Sequence, residues 1–190
     1  MELLAALGRT LGFSFAAGIN LYATVAILGL ASRYHWVDLP PQYQVFDNNI
    51  IIAVALTLYV VEFFADKIPW VDTMWDAVHT VVRPIGGAVI AVATLGHASP
   101  ATETLVALLG AALATSTHVT KTGTRAIANT SPEPFSNWIL SLGEDGFVVA
   151  LGALALAYPA AAAIVVLVSL GLLAALSIWL FRAARRRLAR

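Results

Sequence analysis

The sequence predicts an all-α polytopic membrane protein with about six transmembrane helices, and three observations predict it. Charged residues are 12% of the 190-residue chain and apolar residues 59%, whereas a soluble domain is about a quarter charged. Mean hydropathy is +0.82. Apolar runs approaching the roughly 20 residues that a spanning helix needs recur along the whole length. Residues 1–190 therefore read as one integral-membrane domain, with 182–190 as a basic tail.

The opening MELLAALGR lacks the basic leader of a signal peptide and reads as a short interfacial helix. The first span, Leu11 to Leu30, contains no charge and carries Asn20 near its centre. The loop from Ser32 to Asp47 comes next, where Tyr34, Trp36 and Tyr43 suit an interfacial aromatic belt. A second span runs from Asn48 to Phe64 and includes Glu62. A third, about Val78 to Leu95, carries His79, Arg83 and Pro84, and Pro69 can start its helix. The fourth begins at Thr102 and turns polar near Val119, in the string ATSTHVTKTGTR; Gly123 and then Asn129 to Pro134 mark its end and a loop. The fifth, Ser136 to Tyr158, contains Glu144 and Asp145, and the sixth, Ala160 to Phe181, is apolar throughout.

Orientation follows from the tail. Five of the 11 basic residues, Arg182, Arg185, Arg186, Arg187 and Arg190, fall in the last nine positions, and basic residues close to a span end are retained in the cytoplasm. Six spans then place the N-terminus inside as well, with Lys67 and the Lys121 to Glu133 segment cytoplasmic and the Ser32 to Asp47 loop outside.

Several functions are excluded. The rest of the chain has 6 basic against 11 acidic residues, which is not the basic face of a nucleic-acid binder. Without cysteine there is no disulfide, thiolate metal site or thiol nucleophile. No phosphate-cradling glycine loop, paired-histidine metal motif or nucleophile elbow occurs, so no catalytic residue, metal or cofactor is assigned and an enzyme is disfavoured.

Ionisable residues inside spans are the informative positions, because a lipid-facing bundle has no use for them. Asp72, Asp76, His79 and Arg83 recur at i, i+4, i+7 and i+11, on one helical face. The alternative for the two acids is an amphipathic helix at the interface with its charges in water. Thr117, Lys121 and Arg125 share a second face, with His118 and several hydroxyls beside them; this suits an anion, and equally an ordinary helix end. Glu144 and Asp145 lie about 12 Å along the fifth helix and point about 100° apart. The simplest union pairs Glu144 or Asp145 with Arg83 or Lys121 in a pocket open to the cytoplasm, with Asn20 and His118 adding uncharged hydrogen bonds. Gly12 to Ala16 and Gly110 to Ala114 would let spans one and four approach closely. The same residues align span one with span four as an inverted repeat of three spans per half. A second match, Pro69 to Trp75 with Pro132 to Trp138, conflicts with it by pairing spans three and five.

Three stretches, AAGINLYATVAILGL, FFADKIPWVDTMWDAVHTVVRPIGGAVIA and PEPFSNWILSLGEDGFV, resemble a bacterial integral-membrane family catalogued only as a domain of unknown function. Asp66, Pro69, Asp72, Trp75, Asp76, His79, Arg83 and Pro84 carry the most specific part of the resemblance, and Glu144 and Asp145 fit it. It implies a small multi-pass protein of the inner membrane, with no activity attached. The expected function is a small secondary transporter or channel whose polar pocket handles an anionic solute or coupled protons. A membrane scaffold or a lipid-headgroup binder is the alternative. The bilayer, a small solute or ion, and further copies of the chain are the expected partners, and nucleic acid is not.

Overall fold

A computed structural model describes residues 2–130 and 135–188, with side chains left undescribed at several positions beyond 176. These residues form seven α-helices: α1 (Glu2–Ala17), α2 (Leu21–Arg33), α3 (Asn49–Ala65), α4 (Pro69–Leu95), α5 (Pro100–Ala128), α6 (Phe135–Ala157) and α7 (Pro159–Leu188). A 3-10 turn, Pro41–Phe46, precedes α3. Helix starts follow local chemistry. Asn48 and Ser99 accept hydrogen bonds from the first free N–H groups of α3 and α5, and prolines open α4 and α5, where a missing N–H costs nothing. Gly96, at φ 85°, ends α4 in a conformation that a side chain would strain.

The apolar exterior identifies the surroundings. Trp70, Met74, Val78, Val81, Ile85 and Val89 of α4 are each more than half exposed, while Asp72, Asp76, His79 and Arg83 on its other face are buried. This is the pattern of a protein dissolved in hydrocarbon. Three helical stretches are long and apolar enough to cross a membrane, Pro69–Leu95, Phe135–Ala157 and Pro159–Leu176, and Leu21–Arg33 and Asn49–Ala65 are shorter apolar helices.

The expected first span, Leu11 to Leu30, is not one helix. The chain breaks at Gly18-Ile19-Asn20, where Asn20 is extended (φ −145°, ψ 100°) and caps α2 through Ala23 N–H. Contacts on either side of the break show that the direction reverses. Thr10 bonds Thr94, Ser14 donates to the Gly87 carbonyl and Arg83 donates to that of Gly18, so α1 runs toward the start of α4. From Leu21, against Gly86, α2 returns to Gly29, against Phe46 and Ile52. Phe13 and Ile27, seven positions from Asn20 on opposite sides, both meet the site of Gly152 on α6. Helices α1 and α2 are therefore the arms of a helical hairpin. From Glu2 on, the stretch expected as a separate interfacial helix is the first part of α1.

The same contacts fix the ends of the bundle. The start of α1 lies with the end of α4 and the α6–α7 junction: Arg9 donates to the Leu156 carbonyl, and Gly8 abuts Pro159. α7 leaves this junction toward the opposite end, passing Lys121 and Glu144 at Leu172 and Leu173. The start of α1 and the far end of α7 thus lie at opposite ends of the bundle.

Close packing rests on small residues. α4 and α5 form the most extensive helix pair, meeting where Gly87 faces Gly110 with backbone against backbone. Gly12 faces Ala155 and Ala162 of α6 and α7 rather than α5. The aligned repeat also fails, because α5 continues unbroken through His118 where α1 and α2 break at Asn20. The second match involves Pro132, outside the described residues. α5 likewise runs on through Gly123 to Ala128. Tyr34 and Trp36 are exposed as an interfacial belt requires, but Tyr43 is buried in the core.

Gly18 is required by the hairpin tip. A Cβ there would overlap Thr117 Oγ1 and the Ala114 backbone, and backbone cannot give way as a flexible side chain would. Gly18→Ala is expected to cost about 1 to 3 kcal/mol, read as a lowered midpoint of thermal unfolding in detergent; an unchanged midpoint would mean that the tip is loosely seated.

Candidate functional site: a charge network under the hairpin tip

α4 brings its acids and Arg83 inward because positions 72, 76, 79 and 83 share one face. Asp72 and Asp76 are 0% and 1% exposed, so the interfacial alternative does not hold. Arg83 lies about 21 Å along α4 at 1.5 Å per residue. It donates to Glu62 at 2.6 Å, to the Gly18 carbonyl at 3.2 Å and to His118 Nδ1 at 2.7 Å, with Asp76 at 3.4 Å. Because Arg83 stays cationic, His118 Nδ1 accepts here.

One turn nearer the end of α5, Lys121 donates to Asp66 at 2.9 Å, Glu62 at 3.3 Å and the Ile19 carbonyl at 3.3 Å. Arg125 forks onto Glu144, at 2.6 Å through Nη2, and reaches Asp66 through both its carboxylate at 3.1 Å and its carbonyl at 2.7 Å. Asp72 is held by the Asn129 amide at 3.0 Å, which itself accepts from Asn137 at 2.8 Å. Each cation is thus shared between acids, as burial demands.

The hairpin tip completes the network. A helix C-terminus leaves carbonyls without partners, and at the end of α1 these are taken by Thr117 (to Phe15), Arg83 (to Gly18) and Lys121 (to Ile19). The start of α2 has the opposite polarity, and there Asn20 Nδ2 donates to Asp145 at 3.1 Å. The negative end of one arm meets cations, and the positive end of the other meets an acid.

All ten residues singled out in the sequence lie in or beside this network. Glu144 and Asp145 do serve different partners, the first Arg125 and Lys121, the second Asn20. The expected pairing of Arg83 with Glu144 or Asp145 is replaced by Arg83 with Glu62 and Asp76. His79 sits at the edge, stacked on Trp75 and hydrogen-bonded to Tyr22 at 2.9 Å. Sequence reasoning missed Glu62 and Asp66 as site residues, although Glu62 is 0% exposed and binds both Arg83 and Lys121. Their signal was a pair of acids at i and i+4 at the end of an otherwise apolar helix. Lys67 was also missed; it donates to Ser141 at 3.2 Å and lies over the Phe63 ring. Among the described residues no group of histidines and acids is arranged to hold a metal ion.

Six acids, Glu62, Asp66, Asp72, Asp76, Glu144 and Asp145, thus face four cations, Lys67, Arg83, Lys121 and Arg125. Asp145 has no cation within 4 Å among the described residues, and its Oδ2 has no hydrogen-bond partner. A buried carboxylate in that position is costly unless it is neutralised.

The fold and site together define an all-helical protein of the membrane class, built as a helical hairpin seated on a buried ion-pair network. The chain belongs to the family described as a domain of unknown function (DUF4126), whose model matches residues 7–181. No curated protein and no solved structure matches it.

Removing Glu62 takes a partner from Arg83 and Lys121 at once, leaving them Asp76 and Asp66. Glu62→Ala is expected to destabilise the protein by about 3 to 5 kcal/mol, and Glu144→Ala by less, because its side chain is 17% exposed and water can reach the Arg125 it leaves. Thermal unfolding in one detergent ranks the two, and the reverse order would place the centre of the network elsewhere.

Proposed function

We propose that this protein is a small secondary transporter of the cytoplasmic membrane that couples its solute to protons. The observation that carries the reading is Asp145, a buried acid with no ion-pair partner among the described residues, hydrogen-bonded to the tip of a helical hairpin. Broken helices that present backbone carbonyls and a helix N-terminus to charged groups near the bilayer midplane are how many transporters build ion sites. Here a proton arriving on Asp145 removes the charge that the Asn20 amide and the α2 N-terminus hold, so protonation and hairpin position are linked. Its charged neighbours at longer range are Asp66, Glu62, Lys121 and Lys67.

Coupled protons are favoured over an anionic solute, because Arg83, Lys121 and Arg125 are already neutralised by acids and the surplus charge is negative. A scaffold would present a polar seam, and the exposed face of α4 is apolar instead. In this reading α3 to α7 cross the bilayer, the hairpin enters and leaves on one side, and the arginine tail holds the network end of the bundle in the cytoplasm.

Proteoliposomes loaded with a pH-sensitive dye and given a panel of small organic cations and anions test the coupling. Solute-dependent proton flux is expected in the wild type and loss of at least about tenfold in Asp145→Asn, with the protein still folded. Equal flux in both, or none with any solute, sinks the reading. Topology is checked separately: in this cysteine-free chain, single cysteines replacing Leu4 and Arg182 are expected to react with an impermeant maleimide from opposite faces of the membrane. Labelling from one face would restore an even number of crossings.

A further inference from the structure

A cavity of about 610 Å³ lies between the hairpin tip, α5, α6 and α7, with Lys121 and Glu144 at its floor. That volume is within the range of small-molecule sites. α5 and α6 touch little here, so the cavity opens sideways. Of its lining, Ile139 and Leu172 are exposed, which makes the opening face hydrocarbon. Its occupant therefore has an apolar body that arrives from the lipid.

The polar groups at the floor decide the head. Glu144 is 17% exposed, whereas the Lys121 and Arg125 side chains are 2% and 1% exposed and are engaged by acids and backbone carbonyls. Thr120 and Thr124 donate their hydroxyls to the Ser116 and Thr120 carbonyls, at 2.8 and 2.9 Å, and so present oxygen lone pairs. The cavity offers the Thr120 and Thr124 oxygens, the Ser169 hydroxyl and the Glu144 carboxylate, which is paired with Arg125 at 2.6 Å yet still partly open. A carboxylate has about four lone-pair sites, so Glu144 can take another donor while Arg125 holds it. A phosphate, made of acceptors alone, finds the Ser169 hydroxyl as a donor but no free cation among the described residues here.

We propose that this cavity binds an amphiphile with a protonated amine or other cationic, hydrogen-bond-donating head at Glu144 and an apolar body against Phe147, Leu140 and Leu172. The proposal deepens the transport reading by naming the substrate class of the same network, and it rests on that reading only for the movement of the bound molecule, not for its binding. Gly143 lies at the mouth, where an added Cβ would meet nothing within 4 Å. Gly143→Trp thus blocks the cavity without disturbing the packing.

Equilibrium dialysis of the purified full chain in a non-ionic detergent, with radiolabelled decylamine and with decyl phosphate as its anionic counterpart, tests this. One saturable decylamine site is expected in the wild type, about tenfold weaker in Glu144→Gln and absent in Gly143→Trp, with no saturable decyl phosphate. Saturable decyl phosphate of equal or greater affinity overturns the choice of head. Wild-type decylamine affinity in Gly143→Trp, or no saturable site in folded wild type, overturns the cavity itself. If Glu144→Gln fails to fold, Gly143→Trp and the anionic counterpart still decide. Binding without Asp145-dependent proton flux would sink transport and leave the site standing; proton flux without binding would sink the substrate class alone.

Discussion

Every ionised group taken into hydrocarbon must find its counter-charge or its hydrogen bonds inside the protein, and that constraint organises this bundle. Glu62 is the point where it is met most fully: one carboxylate oxygen receives both Arg83 and Lys121. Those two cations in turn donate to the carbonyls that α1 leaves open at Gly18 and Ile19. The hairpin break is thus supported by the same groups that it helps to neutralise. Neither is stable alone, since an unpaired cation and an unpaired carbonyl are each costly away from water.

Helix polarity gives the arrangement its order. Asp72 lies in the first turn of α4 and Arg125 in the last turn of α5, where helix dipoles favour them. The two arms of the hairpin add one negative and one positive end at their tip. What remains after these matches is a surplus of acid, concentrated at Asp145, and a lateral cavity with a partly open carboxylate, Glu144, and no free cation among the described residues. Both features point to positive charge as what the protein accepts, whether a proton or a cationic head.

Much of the site was legible in the sequence because helical spacing decides which residues share a face. The 72, 76, 79, 83 face and the 117, 121, 125 face both turn inward as their periods require, and the divergence of Glu144 and Asp145 follows from the 100° step. Partner choice was not legible. Arg83 goes to Glu62 instead of α6 because the closed bundle sets Glu62, at the end of α3, within reach of both Arg83 and Lys121, and no spacing rule spans two helices. Gly18-Ile19-Asn20 likewise reads as the middle of an apolar span. Breaking it costs backbone hydrogen bonds that only Arg83, Lys121 and Thr117, far away in the chain, can replace.

The sequence by itself determined that this is an all-α membrane protein with ionisable residues at defined helical faces, since composition and periodicity are local properties that the bilayer reads directly. Tertiary structure alone decided that the first apolar run folds back on itself, that Arg83, Lys121 and Arg125 are paired with acids, and that Asp145 is left without a cation among the described residues. Those outcomes depend on which carbonyl and which carboxylate a given cation reaches. Distances between helices settle that, and they arise only when the bundle closes.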